Sequence, residues 1–365
     1  MEMYIHAQTL KGRKREIRLS EPIILADNEP KGRSGHLGHA MTLLPSGKIM
    51  AFSPNTSGDR YWGHSAFGWM EYRISEDYGE SFGEPRILPY SMDTLLRGVH
   101  TVSVEKAITL DDGTVAAFCL INSQKNEICC EPWSYPTVIT TRDEGETWSE
   151  PLRVAEYRGR IYDVLYHEGA AYVLLFCNDA EKFFCGSEPE HVYRLFKSTD
   201  GCQSFEEVSV VAIDSIGRGY GNMIITPEGE LIVYAYNQKN EDYMDYAISH
   251  DLGKSWDTVG ATYLKNRIRN PQVGLLDGQF IMHGRAGENE SGIGAFVLYT
   301  SADGISWDEG TILVEGRAAC FYSENLTVTL PDGRERMLVQ YSENYKPLYT
   351  PGAWVNSMLL TIESV

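Results

Sequence analysis

The chain has 365 residues, 42% of them hydrophobic, with 34 glycines and 15 prolines, an ordinary globular make-up that excludes a disordered chain and has ample length for a large core. Its 51 acidic against 32 basic residues give a formal charge of -19, which argues against a nucleic-acid or anionic-membrane surface, because both need cationic patches. Seven cysteines, two of them the adjacent Cys129 and Cys130, show neither disulfide regularity nor CxxC metal spacing, so reduced and mostly buried thiols are expected.

The first residues, MEMYIHAQTLKGRKREIRLS, contain no apolar signal core, and no window approaches a membrane span. A soluble, unexported, cytoplasmic protein is therefore expected, one that does not touch a membrane. No linker, charge block or low-complexity segment marks a boundary, so residues 1–365 read as one repetitive domain.

In chain order, EIRLSEPIIL reads as a strand without a hairpin of its own. Six apolar runs folded around a turn follow: TLLPSGKIMAF, ITLDDGTVAAF, VLYHEGAAYVLLF, IITPEGELIVYAY, VGLLDGQFIMHG and VTLPDGRERMLVQY. Their turn glycines, Gly47, Gly113, Gly169, Gly229, Gly278 and Gly333, recur every 49 to 66 residues. Each of the first five hairpins is followed, 22 to 31 residues after its glycine, by a second motif. The copies are SEDYGESF, TRDEGETW, STDGCQSF, SHDLGKSW and SADGISW, centred on Asp77, Asp143, Asp200, Asp251 and Asp303. Five copies suit architecture rather than catalysis: the aspartate accepts backbone hydrogen bonds in a tight turn, the glycine permits the turn and the aromatic packs between sheets. Calcium-loop spacing is absent.

One hairpin plus one boxed hairpin makes a four-stranded antiparallel unit, and six units predict an all-β, six-bladed β-propeller. The sixth unit ends in WVNSMLLTIESV without a box. The N-terminal strand is expected to complete this last blade and close the ring, which removes exposed sheet edges.

Aspartate boxes on six such units resemble the sialidase (neuraminidase) superfamily over nearly the whole chain. The resemblance implies innermost strands whose upstream residues line a central funnel. Those positions hold His36 and His39; Arg97, His100 and Glu105; Arg160, Tyr162 and Asp163; Arg218, Tyr220 and Asn222; Arg267, Arg269 and Asn270; and Arg317, Tyr322 and Glu324. Arginine precedes five of six hairpins in an acidic protein, and guanidinium groups bind carboxylates bidentately, which suits an acidic or sulfated sugar. About half of these arginines are expected to serve salt bridges instead.

The resemblance further implies a tyrosine nucleophile with a glutamate partner, an aspartate acid/base and arginines on the substrate carboxylate. FYSENLTVTLPDG is similar to the family's Tyr-Ser segment, making Tyr322 the candidate nucleophile, with a packed tyrosine as its plain alternative. Glu324 is the candidate acceptor of its proton. Asp59, in SPNTSGDRYWGH, is the candidate acid/base or else a turn residue, and Arg285, in MHGRAG, resembles a substrate arginine. HLGHAMTLLPSG stands where sialidases carry Arg-Ile-Pro, and RGYGNM has no glutamate.

The expected activity is a glycoside hydrolase releasing a terminal anionic sugar from an oligosaccharide, without cofactor or metal and with no oligomeric state implied. Two alternatives stay open: a uronate lyase using His39 or His100 with Tyr322, and a glycan-binding propeller without turnover. Hydrolysis adds water, whereas elimination leaves an unsaturated sugar.

Overall fold

Each apolar run folds back at its glycine, whose φ lies between 75° and 88° in all six hairpins, a region only glycine occupies freely. The computed structural model describes residues 3–10, 13–57, 67–98, 100–123, 134–177, 191–287, 293–317, 321–346 and 355–365. The hairpins pair with the boxed segments into six antiparallel sheets.

From the second to the fifth blade the order is regular, with the first strand of each hairpin innermost. Blade two comprises His100–Thr109, Val115–Ser123, Thr137–Thr141 and Leu152–Arg153; blade three comprises Gly159–His167, Ala170–Cys177, Tyr193–Ser198 and Glu206–Val210. Blade four runs from Arg218–Ile225 through Leu231–Asn237 and Tyr243–Ser249 to Thr258–Tyr263; blade five runs from Gln272–Leu276 through Gln279–Arg285 and Ile293–Ser301 to Thr311–Arg317. In blade one, Arg33–Ser34 and Met41–Leu43 both pair with Ile49–Ser57, followed by Gly68–Ser75 and Arg86–Ile87. Each innermost strand touches its ring neighbours, and Ser323–Thr329 of blade six returns to Met41–Leu43, so the ring is closed.

Closure uses both ends of the chain. In blade six, Val355–Ser364 pairs with Arg13–Leu19 and also with Ile23–Ala26, which confirms the expected completion of the last blade. The N-terminal segment is nevertheless more elaborate than the single strand expected. It breaks at Ser20–Pro22, where proline cannot donate to the ladder. Met3–Leu10 then adds a further outer strand against Arg13–Leu19.

The hydrophobic core is divided into six clusters, one in each wedge between adjacent blades. Because both faces of every sheet are covered, second strands such as Ala170–Cys177 and Leu231–Asn237 are buried at every position.

The boxes fasten one blade to the one before. Asp251 accepts hydrogen bonds from Ser249 Oγ (2.8 Å) and from the N–H and hydroxyl of Ser255 (2.8 and 2.7 Å), while Gly253 N–H donates to Ser249 Oγ (2.7 Å). The same pattern recurs at Asp77, Asp143 and Asp200, and in shortened form at Asp303. The turn then reaches backwards: Tyr72 of blade one donates to Gly145 O (2.7 Å), Ser209 of blade three to Gly253 O (2.5 Å) and Tyr234 of blade four to Gly304 O (2.8 Å). The box aromatic follows, with Trp148 packing edge-on against Phe52 and Tyr72 of the preceding blade.

One helix, Pro89–Arg97, departs from the all-strand expectation. Proline in its first turn lacks only an N–H that a helix start leaves unbonded anyway. Among the described residues no helix is long and apolar enough to cross a membrane.

A Cβ on Gly253 would stand 2.1 Å from Leu195 Cδ2 of the preceding blade, at a φ of 88°. Gly253→Ala is expected to cost about 1–3 kcal/mol in denaturant unfolding. Hydrogen bonds from Ser255 lower the Asp251 carboxyl to about 2. A depressed carboxylate contributes stability that is complete above its unfolded value of about 3.9 and lost as pH falls through its folded value. Asp251→Ala should therefore lower Tm at neutral pH, and the gap to the wild type should close near about pH 2, as thermal melts across pH would read.

Candidate functional site

All six blades contribute to a small cavity at the central funnel, open to solvent. Three innermost strands carry a β-bulge at the point where they reach it. The ladder skips one residue between Val104 and Lys106, between Ile161 and Asp163, and between Gly219 and Gly221. The skipped residues are Glu105, Tyr162 and Tyr220, and all three line the cavity. A bulge bends its strand and re-aims the extra side chain, which is how a regular ladder delivers these groups to the funnel. Tyr220 has φ 36° and Phe321, before Tyr322, φ 64°, both in the left-handed region.

Tyr322 and Tyr220 meet through their hydroxyl oxygens at 2.8 Å. The ring of His36 packs edge-on against Tyr322, with centroids 4.7 Å apart. Arg160 lies over Tyr162 and Tyr220, 5.6 and 5.5 Å from their ring centroids. It donates through Nε (3.0 Å) and Nη2 (2.8 Å) to one carboxylate oxygen of Glu105. This cation is therefore neutralised in place by a residue read from sequence as a substrate ligand in its own right.

Below the tyrosines, five innermost strands each supply one polar side chain. Lys106 Nζ donates to Asp163 (3.0 Å), to Gln272 Oε1 (2.7 Å) and to Glu324. Asn222 donates to Asp163 (2.6 Å) and accepts the N–H of Val273 (2.9 Å). Sequence reading missed Lys106 and Gln272. The available signal was a lysine in mid-strand, in VEKAITL, where a blade sheet is buried on both faces.

The structure places the sequence-based candidates in differing surroundings. Glu324 lines the cavity, but its carboxylate is taken by Lys106 and by the N–H of Asn325 (3.0 Å), with no hydrogen bond to Tyr322. His39 donates from Nε2 to His36 O (3.2 Å) and accepts at Nδ1 from Gln340 (3.2 Å), so both ring nitrogens are used. Burial lowers its pKa to about 4, leaving a neutral structural imidazole at physiological pH. Arg97 does not reach the funnel, because the helix places it exposed in the last turn. Arg218 is likewise diverted, since its guanidinium pairs with Asp245 and donates to Ile216 O (3.0 Å).

Arg269 stands over Tyr236, 5.8 Å from the ring centroid. Arg285 is buried, 5% exposed, with its guanidinium 5.6 Å from the Tyr322 ring centroid. Among the described residues Arg285 has no carboxylate partner, and its Nε has no hydrogen-bond acceptor. Both side-chain polar atoms of Asn270, a cavity residue, are similarly unsatisfied. Asp59 lies outside the described residues, as do the side chains of His100 and Arg317. Among the described residues no three His, Cys, Asp or Glu side chains cluster as a metal site.

Lys106→Met would leave Asp163 and Glu324 buried without their shared cation. A loss of about 3–5 kcal/mol is expected in denaturant unfolding, and much of it should return in the triple variant that also carries Asp163→Asn and Glu324→Gln.

Comparison with known proteins agrees with this architecture. The BNR repeat-like domain family model matches residues 11–261. A protein of unknown function from Dyadobacter fermentans superposes with a TM-score of 0.71 at 15% identity, covering 95% of this chain and 99% of its own. The NanB sialidase of Streptococcus pneumoniae gives 0.63 at 9% identity, with 94% of this chain and 70% of that one covered. An α-L-arabinanase of Penicillium chrysogenum gives 0.58 at 12% identity, with coverages of 93% and 98%. No curated protein matches the sequence significantly. Identities this low speak for the fold alone, but the family match spans well over half of the residues, and with the six blades, five of them boxed, it establishes that this chain belongs to the BNR repeat-like domain family.

Proposed function

We propose that the chain is a glycoside hydrolase that releases a terminal anionic sugar, sialic-acid-like in charge, from an oligosaccharide, with Tyr322 as nucleophile. The observation that carries this reading is the Tyr322–Tyr220 hydroxyl pair at the cavity, with the buried guanidinium of Arg285 against the Tyr322 ring. A neutral phenol approaches an anionic sugar without the repulsion a carboxylate nucleophile would meet. The Tyr220 hydroxyl and the Arg285 charge both favour the phenolate that attack requires.

Tyr322 Oη would bond to the anomeric carbon and pass its proton through the Tyr220 hydroxyl to solvent water, while the glycosidic bond breaks and the departing oxygen takes a proton from an acid, the role proposed for Asp59. Water then adds to the anomeric carbon and returns one proton to the Asp59 carboxylate, the sugar leaves, and the Tyr322 phenolate regains its proton from solvent. Arg285, with Asn270 nearby on the cavity wall, is the proposed anchor for the substrate carboxylate, because its donors are not spent on an ion pair. His36, packed against Tyr322, would hold the ring in place, and the Arg160–Glu105 pair would shape the wall beside it. Two engaged nitrogens on His39 weigh against the elimination alternative.

Incubation with sialylated, uronate-containing and neutral oligosaccharides in oxygen-18 water tests the reading. A released anionic sugar carrying the heavy oxygen is expected, and an unsaturated product would replace hydrolysis by elimination. Tyr322→Phe should lower kcat roughly a thousandfold or more with Tm retained, and full turnover in that variant would remove the tyrosine mechanism. Arg285→Ala should raise KM for the anionic substrate about 10- to 100-fold, the worth of a charge-assisted hydrogen bond.

A further inference from the structure

The charges beneath the tyrosines do not sum to zero. Lys106 is one ammonium, and its side chain is only 9% exposed; it faces two carboxylates, Asp163 at 5% and Glu324 at 12%. The hydrogen-bond donors are shared unequally between them. Asp163 receives Lys106 (3.0 Å), the Asn222 amide (2.6 Å) and the N–H groups of Met223 (2.8 Å) and Val164 (2.8 Å). Among the described residues Glu324 receives Lys106 and the N–H of Asn325 alone. Glu324, with the fewer donors and buried beside the carboxylate of Asp163, is therefore the one that binds a proton.

We propose that Glu324 is the proton-binding group of the cavity floor. It exchanges that proton as the charge of the cavity changes. Desolvation pushes its carboxyl up from the ordinary range, and the charge of Asp163 adds to the effect. Burial alone would lower Lys106, yet Asp163 and Glu324 together hold it raised and charged.

The other groups around the floor leave the imbalance standing. Arg160 and Glu105 cancel one another. His283, near Ser323 and Asn325, is lowered to about 3 by burial and by Lys106, and is neutral like His39. Tyr220 and Tyr322 are phenols, and of the other cations among the described residues Arg285 packs on the Tyr322 ring and Arg269 over Tyr236. Resting on the anionic-sugar reading above, a second consequence follows. An anionic ligand adds negative charge to the cavity and draws a proton onto Glu324, so such a ligand binds more tightly as pH falls through the neutral range.

Infrared difference spectroscopy of the full chain without ligand, from about pH 5 to about pH 9, reads the proton directly. A protonated-carboxyl C=O band should fade with a midpoint near neutrality and be missing in Glu324→Gln. In Asp163→Asn, where the competing charge is gone, the midpoint should move down by about one unit or more. Absence of the band at neutral pH in the folded wild type would overturn the proposal, as would its persistence in Glu324→Gln. If that variant does not fold, the carboxyl carbon shifts of glutamate-labelled wild type decide the same point. A screen that finds no anionic ligand would overturn the functional reading and leave this band in place, whereas a missing band overturns the proton site whatever the screen finds.

Discussion

Ring closure is the constraint on which the rest of this molecule depends. Each sheet is apolar on both faces, so no blade can bury its surface alone, and the core exists only as six wedges between neighbours. An open array would leave two apolar faces and two sheet edges in water. Pairing of Val355–Ser364 with Arg13–Leu19 and Ile23–Ala26 removes them, and it joins residues separated by almost the whole chain. Such a contact carries a large loop-closure cost and gains its stabilisation only when all wedges form together.

The boxes solve a second problem, the angle between blades. A wedge core is non-directional and would tolerate slippage, whereas a turn whose carbonyl oxygen accepts a hydrogen bond from a side chain of the preceding blade fixes a register. This explains why the boxes recur far from the funnel and why their carboxylates are satisfied locally. Asp143 and Asp251 are bound by their own turns.

At the axis the fold faces the opposite difficulty, too many charges brought together out of water. It resolves most of them by pairing: Arg160 with Glu105, and Lys106 with Asp163 and Glu324. A buried ion pair adds little stability compared with apolar packing, but breaking one is expensive. What stays unbalanced is informative for that reason. Among the described residues, the guanidinium of Arg285, which has no carboxylate partner, and the surplus carboxylate at Glu324 are two sites where an incoming charged ligand or a proton changes the energy strongly.

The periodic features of this protein were readable from residues alone. Six hairpins, five boxes and an orphan N-terminal strand specify a closed six-bladed ring, because alternating apolar runs and turn glycines are local signals that repeat. Tyr322 could also be singled out, from the segment around it. The partners of each charge could not. Whether Glu324 meets Tyr322 or Lys106, and whether Arg218 faces the funnel or Asp245, depends on the direction of side chains arriving from blades far apart in sequence. Bulges at Glu105, Tyr162 and Tyr220 decide that direction, and a one-residue shift in a ladder leaves no mark in composition or spacing while turning a side chain to the other face.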